Sequence, residues 1–134
     1  MKIAFVCVEN SGRSQMAQAF ARMHGGEGVE AYSAGSKPSG KINPEVVKLM
    51  EEVGYDMKDH ESTSVDDLPG DTSFDYLVTM GCGDECPWIP AKEQIDWDIP
   101  DPKGQTIEQI RRIRDIIEAE VETLLEEAKR GGED

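Results

Sequence analysis

A cysteine, an arginine and a serine stand close together near the start of the chain, in Cys7-Val8-Glu9-Asn10-Ser11-Gly12-Arg13-Ser14, with five residues between Cys7 and Arg13. The apolar run Ile3-Ala4-Phe5-Val6 feeds this stretch, and the helix-forming run Gln15-Met16-Ala17-Gln18-Ala19-Phe20-Ala21-Arg22 leaves it. A strand that stops at a tight loop opening a helix gathers backbone N–H groups around one point, and the helix start adds roughly half a positive charge there. That point suits a tetrahedral oxyanion. The expected substrate-binding residues are therefore Val8, Glu9, Asn10, Ser11, Gly12, Arg13 and Ser14, with the planar fork of Arg13 gripping two oxygens at once. The same partial charges favour a thiolate, so the Cys7 pKa is expected to fall. A nucleophile and an anion cradle in one loop outline displacement at a phosphate-like centre. The plainer alternative, a buried structural cysteine with Arg13 as a surface charge, leaves the Asn-Ser-Gly-Arg-Ser loop without a purpose.

Cys82 and Cys86 form a second group, in Gly81-Cys82-Gly83-Asp84-Glu85-Cys86-Pro87. The glycines leave this backbone free to visit several conformations. The pair reads as half of a metal site, as two unrelated thiols or as a redox relay, and neither His24 nor His60 has the spacing of a partner ligand. Asp101 lies between Pro100 and Pro102. Each proline fixes its own φ and restricts the residue before it, so the carboxylate is held in a stiff loop. A general acid needs such placement, though Asp-Pro is also an ordinary turn signal.

The elements that must position these groups follow from periodicity. Lys2 to Cys7 reads as a fully buried first strand, apolar without alternation. A helix from Ser14 to His24 turns Met16, Ala17, Phe20 and Met23 inward and stops at Gly25-Gly26. His24, in its last turn, complements the helix dipole and is assigned no chemistry. Val29 to Ser33 reads as a second strand, and Asn43 caps a helix whose first turn holds Pro44, with Val46, Val47, Leu49, Met50 and Val53 inward and Gly54 at its end. A helical turn is expected at Val65–Leu68, a third strand at Phe74–Met80 and a short fourth strand at Ile95–Ile99. Thr106 and Gln109 stand in capping-box relation, ahead of Ile107, Ile110, Ile113, Ile117, Val121, Leu124 and Ala128 at helical steps.

Strands alternating with helices predict an α/β fold: one domain over 1–134, a three-layer sandwich with a four-stranded parallel sheet and helices on both faces. Ligands of such sheets sit beyond the carboxyl ends of the strands. The Cys7 loop, the Cys82/Cys86 loop and Asp101 all fall on that edge.

At 134 residues the chain can bury about two-thirds of its unfolded surface in one core. Its formal net charge of −14 argues against nucleic acid and anionic membranes as partners. It would also repel an anionic substrate, so capture must rest on short-range loop dipoles and Arg13, with salt screening helping association. Three cysteines do not make a disulfide framework, and an odd number suits a relay. No apolar run approaches the roughly 20 residues of a membrane span, and Met1 to Val8 is too short for a signal peptide. A cytoplasmic monomer is expected.

Cys-x5-Arg-Ser on a strand–loop–helix resembles the low-molecular-weight tyrosine phosphatase fold family, which includes the thioredoxin-coupled arsenate reductases. The resemblance covers nearly the whole chain. It implies that Cys7 attacks arsenate, Arg13 and the loop amides hold it, and Asp101 protonates the departing oxygen. Cys82 would then attack the Cys7 adduct and release arsenite, and Cys86 would move the disulfide to Cys82–Cys86 for an external thioredoxin or similar thiol reductant. It also implies that Asn10 shapes the loop, Ser14 hydrogen-bonds the sulfur and Ser33 supports the loop from the second strand. Glu9, expected to face outward, and Gly12 differ from the family's usual loop residues, and the Cys82–Cys86 spacing is tighter than in its best-known reductases. Gln18 and Val65 replace the acids that hold potassium in some relatives, so no structural potassium, no other metal and no tightly bound cofactor are expected. The rival within the family is a tyrosine phosphatase using Cys7, Arg13 and Asp101 alone, although Asp101-Pro102-Lys103-Gly104 lacks the tyrosines that usually wall its pocket. A rival outside it is a non-catalytic oxyanion or thiol-metal binding module.

Overall fold

Ile3, Ala4, Phe5 and Val6 are apolar on both faces of their strand, and all four are fully buried. They lie in β1 (Lys2–Cys7), which pairs in parallel with β2 (Glu30–Gly35) on one side and β3 (Phe74–Thr79) on the other. The computed structural model describes residues 1–69, 73–81 and 89–131. β4 (Ala91–Asp96) pairs in parallel with β3 and completes a four-stranded sheet of order β2-β1-β3-β4. The chain steps from β1 to one side, then returns past it to the other. The carboxyl end of β1 therefore sits where the winding reverses, the place where open parallel sheets bind ligands.

The layers are unequal. The face of Ile3, Phe5, Val78 and Met80 packs against α1 (Arg13–Gly25), α2 (Pro44–Glu52) and α3 (Ile107–Gly131) in one large core. The face of Ala4, Val6 and Leu77 carries a smaller cluster closed by Val65, Leu68 and Ile89, around a 3₁₀ turn at Val65–Asp67. Ser64 and Asp67 cap that turn reciprocally. Asn43 Oδ1 accepts from the Glu45 N–H at 2.9 Å to start α2. Thr106 and Gln109 exchange hydrogen bonds of 3.0 and 3.2 Å to start α3, as their spacing predicts. Glu52 clasps α2 to α3: Arg111 grips it through Nε at 3.1 Å and Nη2 at 2.7 Å, and the buried Arg114 donates at 2.8 Å. Those bonds, Arg111 first, hold the Glu52 carboxyl down at about 2. His24 Nε2 meets Glu118 at 2.9 Å, tying the end of α1 to α3 beside its helix-terminal role.

Three sequence expectations need correction. The fourth strand is Ala91–Asp96, not Ile95–Ile99. It lies at the sheet edge, where polar Lys92, Glu93 and Gln94 are tolerated and blunt further pairing. Trp97 and Ile99 are buried beyond the ladder, which is why they imitate a strand. Met23 and Ile107, expected inward, are 38% and 40% exposed. Met23 lies in the last turn of α1 and Ile107 opens α3, where fewer neighbours cover a side chain. Val47 and Val53 are only partly buried.

Candidate active site

The loop after β1 is built so that its carbonyls face away from the site. Those of Cys7, Val8 and Glu9 accept from the N–H groups of Ser36, Lys37 and Ser39 at 3.2, 2.8 and 3.0 Å. Asn10 O accepts from Gln15 Nε2 at 3.0 Å, and Ser11 O from the Asn43 N–H at 2.9 Å. Gly12 O takes the first bond of α1, from the Met16 N–H at 2.9 Å. In a trans peptide the N–H points opposite to the carbonyl of the same unit. The amides of Val8 through Arg13 are therefore turned from those partners, and no side chain caps α1. They surround a cavity of about 430 Å³ lined by Cys7, Val8, Glu9, Ser11, Gly12, Arg13, Gly81, Asp101 and Lys103.

Asn10 and Ser14 are fully buried behind this loop, not on the cavity wall. Asn10 has φ 51°, a left-handed turn that asparagine tolerates better than most residues. Its Nδ2 donates to Ser14 Oγ at 2.7 Å, and Ser14 Oγ lies 2.9 Å from Cys7 Sγ. With an acceptor position of Ser14 filled, its hydroxyl proton is left for the sulfur. Asn10 Oδ1 accepts from the Thr63 N–H at 2.8 Å and from Gln15 Nε2 at 2.9 Å. Gln15 Oε1 in turn meets His60 Nδ1 at 2.8 Å. Arg22 Nη1, which can only donate, meets His60 Nε2 at 3.2 Å, and Tyr55 OH lies 2.6 Å from the same nitrogen. His60 Nε2 is thus the acceptor, and Nδ1 carries the proton that it gives to Gln15. Burial, and then the Arg22 charge, push the His60 pKa down to about 4, keeping that tautomer neutral. One directed chain runs from His60 through Gln15, Asn10 and Ser14 to Cys7.

Arg13 closes the loop with its side chain only 11% exposed. Its Nη1 donates to Ile99 O at 3.0 Å, and its Nη2 lies 3.7 Å from Asp101 Oδ2. Asp101 is held by the Lys103 N–H, which donates to its Oδ1 at 3.0 Å. Two glycines permit this assembly. A Cβ on Gly12 would come within 2.8 Å of Pro102, so Gly12 lets the acid loop lie on the anion loop. Gly81, at φ +78°, lies against the Arg13 guanidinium, leaving no room for a side chain. Ser33 sits one step back: its Oγ donates to Gln18 Oε1 at 2.6 Å, and its carbonyl accepts from Thr63 Oγ1 at 3.0 Å. Gln18 Nε2 also donates to Ala31 O at 3.0 Å, tying α1 to β2.

The structure thus brings Cys7, Arg13 and Asp101 to one cavity, with Asn10, Ser14 and Ser33 behind it. Cys82 and Cys86 lie outside the described residues; Gly81, the residue before Cys82, lines the cavity. Sequence reasoning missed Gln15, His60 and Thr63 as supports and Lys103 as a wall residue. A polar Gln15 within a stretch of small and apolar helix residues is the signal that was available, since a buried amide needs a partner.

Comparison with known proteins places these features in company. The family described as low molecular weight phosphotyrosine protein phosphatase matches residues 2–133. A putative arsenate reductase of Halobacterium salinarum is 39% identical over 94% of this chain and 92% of its own. A structure described as an arsenate reductase in the phosphate binding state is 34% identical, with a TM-score of 0.83 over 94% of this chain and 97% of the other. The thioredoxin-dependent arsenate reductase of Corynebacterium glutamicum is also 34% identical, with a TM-score of 0.80 over 97% of this chain and 62% of its own.

Proposed function

Because the chain belongs to the low molecular weight phosphotyrosine protein phosphatase family, we infer that it is an arsenate reductase using a Cys7–Cys82–Cys86 relay. The observation that carries this reading is the shared cavity. Cys7 faces outward-bonded loop peptides, Arg13 and Asp101 there, and the residue preceding Cys82 forms part of the wall. Arsenate sits on the loop amides and Arg13. Cys7 sulfur attacks arsenic, forming an S–As bond, and Asp101 protonates the oxygen that leaves as water. Cys82 thiolate attacks Cys7 sulfur; the S–As electron pair passes to arsenic, which leaves as arsenite. Cys86 then attacks Cys82, restoring Cys7, and an external thioredoxin-like dithiol supplies two electrons to the Cys82–Cys86 disulfide. Both elements of the relatives' names, the oxyanion and the thiol reductant, support this sequence of steps.

Residues 1 to 134 act as one domain and one chain in this reading, since Cys7, Arg13, Asp101, Cys82 and Cys86 all belong to it and only the final reductant comes from outside. No helix among the described residues is long and apolar enough to cross a membrane. The reading places the enzyme in the reducing cytoplasm. Cys7, Arg13 and Asp101 also suffice for slow cleavage of a phosphate ester, the family's other chemistry. Arsenate-dependent NADPH oxidation, coupled through thioredoxin and its reductase, separates the two. Cys82→Ser and Cys86→Ser should abolish it while still cleaving a small aryl phosphate, and Cys7→Ser should lose both. Wild-type rates of arsenate reduction in either relay variant would refute the relay.

A further inference from the structure

Glu9 faces Lys103 across the mouth of the cavity, with Oε1 and Nζ 3.3 Å apart. The two arrive from different elements, the anion loop and the acid loop. Lys103 is fixed at its backbone by the bond to Asp101 Oδ1, while its side chain is 72% exposed and free to swing on its stem. Among the described residues, the cavity wall carries two cations, Arg13 and Lys103, and two carboxylates, Glu9 and Asp101. Arg13 is already engaged by Ile99 O and Asp101. Among the described lining residues, Lys103 is therefore the further cation for an oxyanion bound on the loop, and Glu9 competes for it. No aromatic or aliphatic side chain other than Val8 lines this cavity among the described residues. An ester with an apolar group would have to displace the Glu9–Lys103 pair and leave its charges against that group.

We propose that Lys103 and Glu9 determine the site's specificity: Lys103 attracts small inorganic oxyanions, Glu9 holds it in reserve, and their charged wall disfavours apolar phosphate esters. The proposal rests on Cys7 and its loop being the oxyanion site, and it deepens that reading by naming what selects the substrate. It also answers the long-range repulsion from a net charge of −14, because a cation at the mouth acts inside the screening length.

Protection of Cys7 from iodoacetamide in a Cys82→Ser background, where the relay cannot proceed and no arsenite is released, is followed on the Cys7 peptide by mass spectrometry and measures oxyanion occupancy. The ligands are arsenate, inorganic phosphate and phenyl phosphate. Lys103→Met should weaken protection by arsenate and phosphate about threefold to fivefold, the size of an exposed charge contact, and strengthen protection by phenyl phosphate. Lys103→Arg should restore the order of the Cys82→Ser parent. Glu9→Gln should tighten arsenate about twofold, and Glu9→Gln/Lys103→Met should lose that gain. Equal changes for all three ligands in Lys103→Met, or no change, would overturn the proposal. Absence of protection by any oxyanion in the Cys82→Ser parent would instead overturn the reading of the site itself.

Discussion

At the scale of single residues, the reactive sulfur depends on side chains buried behind the cavity wall. Asn10 combines three tasks: a left-handed backbone, a donor to Ser14 and an acceptor for Thr63 and Gln15. Ser14 has fewer: its Oγ accepts from Asn10 Nδ2 and reaches Cys7 Sγ, while its backbone is ordinary helix. The two variants should therefore part. Ser14→Ala should lower kcat for arsenate about tenfold to a hundredfold with little change in KM, since it removes one positioning hydrogen bond. Asn10→Ala should do the same and also lose about 1–3 kcal/mol of stability, because buried partners are left unpaired. Steady-state kinetics beside thermal melts of both variants check this. A large KM effect with unchanged kcat in Ser14→Ala would mean that Ser14 binds substrate instead.

At the scale of elements, what the sequence made legible was whatever local chemistry dictated. β1, its loop and the start of α1 were readable because an unbroken apolar run stops at a cysteine and an arginine-closed turn. The caps of α2 and α3 were readable because Asn43, Thr106 and Gln109 act on neighbours within three residues. β4 was misplaced because an edge strand needs no apolar face, while the buried Trp97 and Ile99 lie past its last residue, Asp96. The support of the site was hidden for a different reason. His60 reaches Gln15 across 45 residues of chain, and nothing in its own surroundings marks it. Its spacing excluded a metal role and said nothing of hydrogen bonding. Lys103 is hidden in the same way, because its partner Glu9 lies 94 residues away in the chain.

At the scale of the whole molecule, acid should loosen the structure through two groups. His60 is held near 4 in the folded protein against about 6.5 when unfolded, so the unfolded chain binds its proton first as pH falls. Its contribution is complete above pH 6.5 and is lost between that value and about 4. Discounted for its partial exposure, the loss is on the order of 1–2 kcal/mol. Glu52, held at about 2, contributes above its unfolded value of 4.5 and loses this as pH falls towards 2. Melts of wild type and His60→Gln between pH 7 and 4 should converge as pH falls; parallel curves would contradict the assignment of His60. A trapped intermediate tests the proposed Cys7–Cys82–Cys86 relay most directly. Reduced Cys86→Ser protein treated with arsenate should accumulate a Cys7–Cys82 disulfide, seen by peptide mapping, in amounts equal to the arsenite released. Arsenite formed with Cys7 and Cys82 unlinked, or no arsenite at all, would contradict the account.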